Sequence, residues 1–274
     1  MSVSDISTLD RLFIVGCFFR KDHPLMAQRV RQSIKKGLRL SVLNPAFDDW
    51  QLSIENKICV APSEMVAGLA RVIKAVANET NQTISDDVSD LCAQVSVDDE
   101  SLAVARSLAS GRRSAVWLGN YAVQHRNAAQ IHALSQEIAR LVNSAFGVIG
   151  EAANSVGGYL AGAVPFGLIE GKNAAQMLST PLKAYILAGV EPDLDIADGV
   201  SAVKSLRGAE MVAALTVFKS QSLLDLADVL LPIAPFTETA GVFVNCEGRA
   251  QAFHPVTKSA GESRDWICAG TEWF

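Results

Sequence analysis

Several absences narrow the chemistry of this chain before any element is assigned. It has no basic excess: 24 lysines and arginines stand against 29 acidic residues, a net charge of −5. The small basic clusters include RKDHP at 20–24 and the pair at 35–36. That leaves no electrostatic footprint for nucleic acid. Five cysteines stand at 17, 59, 92, 246 and 268, none in C-x-x-C. Their wide, irregular gaps argue against a zinc site or an iron–sulfur cluster and read as free thiols of a reducing compartment. No segment has the roughly 20 unbroken apolar residues of a membrane helix. The most apolar long stretch, residues 148–171, carries Glu151, Asn154, Pro165 and many glycines. Gly158 and Gly162 form a G-x-x-x-G, which outside a membrane helix reads as close packing or a loop. The N-terminus, MSVSDISTLDR, lacks the basic region and apolar core of a signal peptide.

Common catalytic patterns are also missing. No G-x-G-x-x-G follows the first apolar run, whose loop has only Gly16. GLIEGKN at 167–173 is one residue short of a phosphate loop and has Asn173 where Ser or Thr would hold magnesium. Two S-x-x-K matches, at 33–36 and 201–204, lie in amphipathic helical patterns with no partner motif. G-x-S-x-G and H-E-x-x-H do not occur. The four histidines stand at 23, 125, 132 and 254; His125 and His132 have no acidic partner at ligand spacing and read as solvent-side residues. The aspartates of the polar stretch 80–100 are irregularly spaced, which predicts an exposed excursion. No nucleophile, base and orienting group come together.

Strand–helix alternation is present throughout. RLFIVGC (11–17) reads as a buried strand; Asp22 and Pro24 open a helix with Met26, Val30 and Ile34 on one face, and Gly37 closes it. LRLSVLN (38–44) completes a β-α-β unit, which implies parallel strands. Further strands are expected at 56–62, 114–119, 146–150, 182–189, 209–218 and 227–236. Helices are expected after Pro62, from a capping box at 96–99 to Gly111, over 127–142, from Asp198 to Gly208, and before 227. The pattern predicts two Rossmann-like α/β lobes with parallel sheets, dividing near residue 112 into 1–112 and 113–274. Ligands of such sheets bind at the carboxyl ends of strands, so the loops there are the places to look. The last is a hairpin, ETAGVFVNCEGRAQAF (238–253), whose Glu238, Asn245, Glu247, Arg249 and Gln251 are spaced by Gly241 and Gly248. From the residues alone it is a catalytic cluster, a ligand loop or a well-bonded turn.

ADVLLPIAPFTETAGVFVNCEGRAQ resembles the signature of molybdopterin-dependent oxidoreductases, where an A-D-V-V-L-P strand precedes E-x-x-G-T-x-x-N-x-E-G-R-x-Q. Ala227, Asp228, Leu231, Pro232, Glu238, Gly241, Asn245, Glu247, Gly248, Arg249 and Gln251 match. FIVGCFFRKDHPLMAQRVRQSIKKG resembles the family's first strand, its G-x-N-x-x-x-x-H-P loop and its helix. EAANSVGGYLAGAVP and AVWLGNYAVQHRNAAQIHALSQEIA are similar to one branch, the large G-type subunit of NADH–quinone oxidoreductase, respiratory complex I. The resemblance covers nearly the whole chain and implies the α/β architecture of the formate dehydrogenase and DMSO reductase type. It also implies a piece of a longer chain: the family's iron–sulfur clusters belong to an N-terminal part with no counterpart here, and DWICAGTEWF (265–274) reads as the middle of an amphipathic helix.

Departures from the pattern bear on mechanism. Phe18 replaces the Asn of the first loop, Glu191 precedes Pro192 where relatives have Asn, and Val242 replaces the Thr after the hairpin's glycine. A buried pterin would lose hydrogen-bond donors at about 1–3 kcal/mol each, and a carboxylate at 191 would repel phosphate. The expectation is a cofactor-free scaffold of complex I with no catalytic and no metal residue. Its vestigial pterin-facing loops carry Gly16, Phe18, His23, Asn154, Glu191, Glu238, Asn245, Glu247 and Arg249. The implied partners are other peripheral-arm subunits, without nucleic acid or membrane insertion. The implied place is the cytoplasmic side of the inner membrane, or the mitochondrial matrix side. The alternatives are a fragment of an active pterin enzyme such as a formate-dehydrogenase-like subunit, and a plain nucleotide-binding protein.

Overall fold

The computed structural model describes residues 1–165 and 171–264. Most of GLIEGKN and all of DWICAGTEWF, with Cys268, lie outside the described residues. The chain forms two compact units, Met1–Ser155 and Val156–Phe274. The division falls well beyond residue 112 because the strand at 114–118 pairs with the first strand of the chain and cannot leave that sheet.

In the first unit β1 (Arg11–Val15), β2 (Arg39–Asn44), β3 (Asn56–Cys59), β4 (Ser114–Leu118) and β5 (Ala145–Val148) form one parallel sheet in the order β3-β2-β1-β4-β5. Side chains alternate along each strand, so β1 sends Phe13 and Val15 to one core and Leu12 and Ile14 to the other. α1 (Phe19–Asp22) and α2 (Pro24–Ile34) follow β1, and α2 buries Ala27 and Val30 on the Leu12 side. α3 (Met65–Thr80), α4 (Asp86–Ala93), α5 (Asp99–Ala109), α6 (Asn120–Val123) and α7 (Ala128–Leu141) supply the Phe13 side. The stretch 80–100 is not a solvated excursion: α4 buries Val88 and Cys92 in that core, since its apolar residues recur at helical spacing beneath a polar surface. The cap of α5 is Asp98, not Ser96; its carboxylate accepts from Ser101 N at 2.8 Å. Glu137 on α7 is buried and accepts from Ser85 N at 2.8 Å and from Arg140, which also reaches Thr83 O. These bonds hold the α7 helix to the segment that leads into α4.

The second unit begins with α8 (Ser155–Leu160) and continues with α9 (Ala174–Ser179), β6 (Ala184–Ala188), α10 (Pro192–Asp195), α11 (Gly199–Arg207), β7 (Met211–Thr216), α12 (Gln221–Leu226), β8 (Val229–Pro232) and the hairpin strands β9 (Gly241–Val244) and β10 (Ala250–Phe253). β6, β7 and β8 are parallel and lie in sequence order. Right-handed crossovers between sequential parallel strands put their helices on one face. Tyr185 and Leu187 of that face pack with Leu206 of α11, Leu226 of α12, and Met177 and Leu178 of α9. The 227–236 run is therefore not fully buried: Val229 is exposed, and Leu230 and Leu231 are only partly covered.

Candidate functional site

In the first unit the strand order reverses between β1 and β4, and the loops leaving these two strands diverge there. The β1 loop begins at Gly16, whose φ of 59° suits glycine and whose missing Cβ would lie 2.7 Å from Ala122 N. The β4 loop begins at Gly119, where a Cβ would meet Cys17 Sγ at 2.7 Å. Backbone bonds tie the two loops together: Gly119 N donates to Val15 O at 2.9 Å and Ala122 N to Gly16 O at 3.1 Å.

The donors of the β1 loop are already engaged. Cys17 N donates to Asn44 Oδ1 at 2.9 Å, and Asn44 Nδ2 donates to Ala46 O at 2.8 Å. Phe18 N donates to Asp22 Oδ2 at 3.3 Å. Asn44 is fully buried, a polar residue at the carboxyl end of β2. That position, just before Pro45, was the sequence signal for a loop-holding residue that motif matching passed over.

Above these bonds the crevice is aromatic. The rings of Phe18 and Tyr121 meet edge to face at 6.3 Å, and Tyr121 lies 6.1 Å from His125. His125 is not a solvent-side group. Its Nδ1 accepts from Asn127 N at 3.0 Å and its Nε2 lies 3.0 Å from Pro62 O, so it carries its proton on Nε2. His132 is also half-buried, its ring edge-on to Phe146 at 5.1 Å. Each is held by neighbours on the loops and strands that flank α7.

His23 lies below the aromatic layer, with its ring 6.4 Å from that of Phe19. Its Nε2 and Asn120 Oδ1 are both buried and make no hydrogen bond of good geometry. Asn120 still sits close enough to favour the protonated imidazole, as do Asp22 and the Ile149 backbone, but burial outweighs them and holds the His23 pKa below its ordinary value. Burial and Asp22 push the Cys17 thiol far up, so it stays protonated and is no thiolate nucleophile. Gly16, Phe18 and His23 are thus brought together. Asn154 of the same unit lies in the turn before α8.

In the second unit, Glu191 starts α10: its N–H donates to Asp195 Oδ2 at 2.7 Å and its carbonyl accepts from Leu194 and Asp195. Asp228, the acid of the A-D-V-L-L-P strand, clamps β8 to β7 by accepting from Val212 N at 2.7 Å. Its role is to set the strand register. The hairpin question has a geometric answer. Asn245 Oδ1 accepts from Glu247 N at 3.1 Å and Arg249 N at 2.9 Å, and Arg249 Nε lies 3.0 Å from Glu247 Oε1. Gly248 takes a φ of 82°, and a Cβ on Gly241 would strike the Phe253 ring at 2.6 Å. Glu238 Oε2 accepts from Ala260 N at 3.0 Å, forward along the chain. Asn245, Glu247 and Arg249 thus bond one another and the backbone of the turn. Beyond the hairpin the chain returns beside β8 by backbone at Arg264, whose carbonyl accepts from Ala234 N at 2.8 Å.

Among the described residues no group of three or more His, Cys, Asp or Glu is placed to hold a metal ion. No described helix is long and apolar enough to cross a membrane.

Comparison with known proteins agrees with this architecture. The chain is 37% identical over 86 residues to the G subunit of NADH-quinone oxidoreductase from Mycobacterium bovis and to that from Mycobacterium tuberculosis, matches that take in 30% of this chain and 10% of theirs. It is 28% identical over 78 residues to the alpha subunit of F420-dependent formate dehydrogenase 1 from Methanococcus maripaludis, over 28% of this chain and 12% of that one. The matched region thus spans about a tenth of these relatives' length. Acetylene hydratase from Pelobacter acetylenicus shares the fold with a TM-score of 0.70 at 16% identity, over 94% of this chain and 46% of that one. The formyltransferase/hydrolase complex from Methylorubrum extorquens does so with a TM-score of 0.62 at 13% identity, over 94% of this chain and 72% of its own. The molybdopterin oxidoreductase family model matches residues 1–268, and the chain belongs to that family.

Proposed function

We propose that this chain is part of the G-type subunit of an NADH–quinone oxidoreductase, where it serves as a cofactor-free scaffold. The observation that carries the reading is the closed switch point of the first sheet. Phe18 and Tyr121 meet over it, and the backbone donors of the β1 loop are spent on Asn44 and Asp22. These residues do not fit a pterin dinucleotide, whose polar edge needs donors and whose phosphates need cations. Asp22 beside this loop presents a carboxylate, and Arg20 of the same turn is paired with Asp49 at 2.9 Å. A pterin seated against the two rings would leave polar groups unmet at about 1–3 kcal/mol each. The matches to the two mycobacterial G-type subunits support the branch.

On this reading, rigid α/β units hold iron–sulfur domains of the parent chain and neighbouring peripheral-arm subunits in register, while electrons pass through clusters elsewhere. The assembly would sit peripherally on the cytoplasmic side of the inner membrane, or on its matrix side. The test is metal and pterin analysis of the chain purified from its own cells. Less than a few per cent molybdenum or tungsten, with no pterin fluorescence after oxidation, is expected. Stoichiometric metal with pterin overturns the reading.

One observation favours a second reading, a piece of a pterin-binding enzyme of the formate dehydrogenase kind. His23 Nε2 and Asn120 Oδ1 are two buried polar atoms without a good partner, at the place where ligands of such sheets bind. Stoichiometric pterin lost on His23→Ala substitution would establish that alternative.

A further inference from the structure

α11 of the second unit carries apolar residues on two sides. Ala202 and Leu206 are buried, and Leu206 packs with Tyr185, Leu226 and the α9 residues Met177 and Leu178. Ser205 Oγ donates to Leu178 O at 2.9 Å. The outward ridge is Val200, Val203, Lys204 and Arg207, spaced i, i+3, i+4 and i+7. With Asp193 and Gly199 these residues line an open groove of about 440 Å³ beside α10. Gly199 brings the two helices together: a Cβ there would lie 2.6 Å from Asp193 O. Val200 is 85% exposed, and Leu194 of α10 is 73% exposed. A helix that packs on one side is expected to be polar on the other, and an exposed β-branched residue in a helix contributes neither burial nor propensity. Lys204 and Arg207 suit the negative end of the helix dipole, which does not account for the bare valines beside them. Neither cation has a carboxylate partner among the described residues, and their like charges repel across one turn.

We propose that this groove docks an acidic amphipathic helix of a partner polypeptide. Apolar residues of that helix, one turn apart, cover Val200 and Val203, and its carboxylates face Lys204 and Arg207. The signs also fix its direction. Asp193 lies beside Gly199, about 12 Å along α11 from Arg207 at about 1.5 Å per residue, so the partner's acids belong at the Arg207 end. A small anion would neutralise the cations and leave the valines bare. A second copy of this chain does not supply such a helix from α4, its run of Asp86, Asp87 and Asp90. The apolar residues of α4, Val88 and Cys92, are already in the core of the first unit. The inference holds whether or not the chain carries a pterin.

The direct test places a photoreactive benzoylphenylalanine at position 200 of the full chain in its own cells and sequences the cross-linked peptide by mass spectrometry. A link to a helix of another polypeptide with clustered acids and an apolar face is expected, lost when Lys204→Glu and Arg207→Glu are combined. A link to a second copy, a link to a segment without clustered acids, a link that survives the charge reversal, or no link overturns the proposal. A second measurement uses the purified chain and a fluorescein-labelled helical peptide with leucines along one face and glutamates at one end. Its anisotropy should report binding that weakens about tenfold on the double charge reversal and falls as salt rises. Replacing the peptide's glutamates by lysines should restore binding to the reversed chain. Both substituted side chains are exposed, so the melt of the variant should stay unchanged. Equal affinity for the acidic and the lysine peptide, or for the native and the reversed chain, removes the charge complementarity and with it the proposal.

Discussion

The two sheets of this chain are built by the same rule and end differently. In the first, order β3-β2-β1-β4-β5 reverses direction at β1, so right-handed crossovers deliver helices to both faces and the core is double. In the second, order β6-β7-β8 never reverses, and α9, α11 and α12 pack on one side. Reversal therefore does two things at once: it buries both faces, and it opens the crevice where a ligand can sit. At that crevice in the first sheet the rings of Phe18 and Tyr121 meet.

The comparison can be tested by unequal damage. The largest loss is expected in the doubly covered sheet: Phe13→Ala should cost about 3–5 kcal/mol in urea unfolding, because Phe13 is wholly buried and its neighbours cannot collapse into the space. A loss under 1 kcal/mol would mean that this core is not close-packed. Asn44→Ala should cost about 1–3 kcal/mol by stranding Cys17 N–H, and should also speed the reaction of Cys17 with a thiol reagent as the loop loosens. In the second unit Asn245→Ala should cost about 1 kcal/mol, since two backbone donors lose their acceptor. Glu247→Ala should lower the melting temperature less, because its partner Arg249 is exposed. An unchanged melt in both hairpin variants, together with lost pterin binding, would make the turn a ligand loop.

The smallest effect is a pH slope. Burial lowers the His23 pKa in the folded state, so the unfolded chain binds the proton more readily. The contribution of the neutral ring is complete above about pH 6.5, the ordinary imidazole value, and is lost as pH falls from there toward the depressed folded value. His23→Gln should flatten the decline of Tm over that window; an unaltered slope would place the acid sensitivity elsewhere.

The alternation of strands and helices was legible because each element carries its own period. Thus α7 and the strands from β1 to β8 fall where the spacing put them, and Asp198 caps α11 through Ser201 N. The unit boundary was not legible. Whether the strand at 114–118 opens a new sheet or joins an old one depends on a pairing with Arg11–Val15, and local pattern carries no record of a distant partner. α4 was missed because its three aspartates outnumber its two fully buried residues, Val88 and Cys92. At the crevice, Phe18 drew notice as a departure from a motif. Tyr121, Asn120 and Asn44 did not, since their meaning lies in what the loops bring beside them. The hairpin's Asn245, Glu247 and Arg249 could be read from spacing, as a turn's bonds are local.

The central strand also sets the order of assembly. β1 takes β2 as one neighbour soon after synthesis, but its other neighbour is β4, with Arg11 opposite Ser114. Until the ribosome has released the intervening helices, that edge has no mate and stays open to any strand nearby. A chain stalled or clipped before Leu118 would leave its central strand half-paired, a species prone to aggregate and a natural client for chaperones.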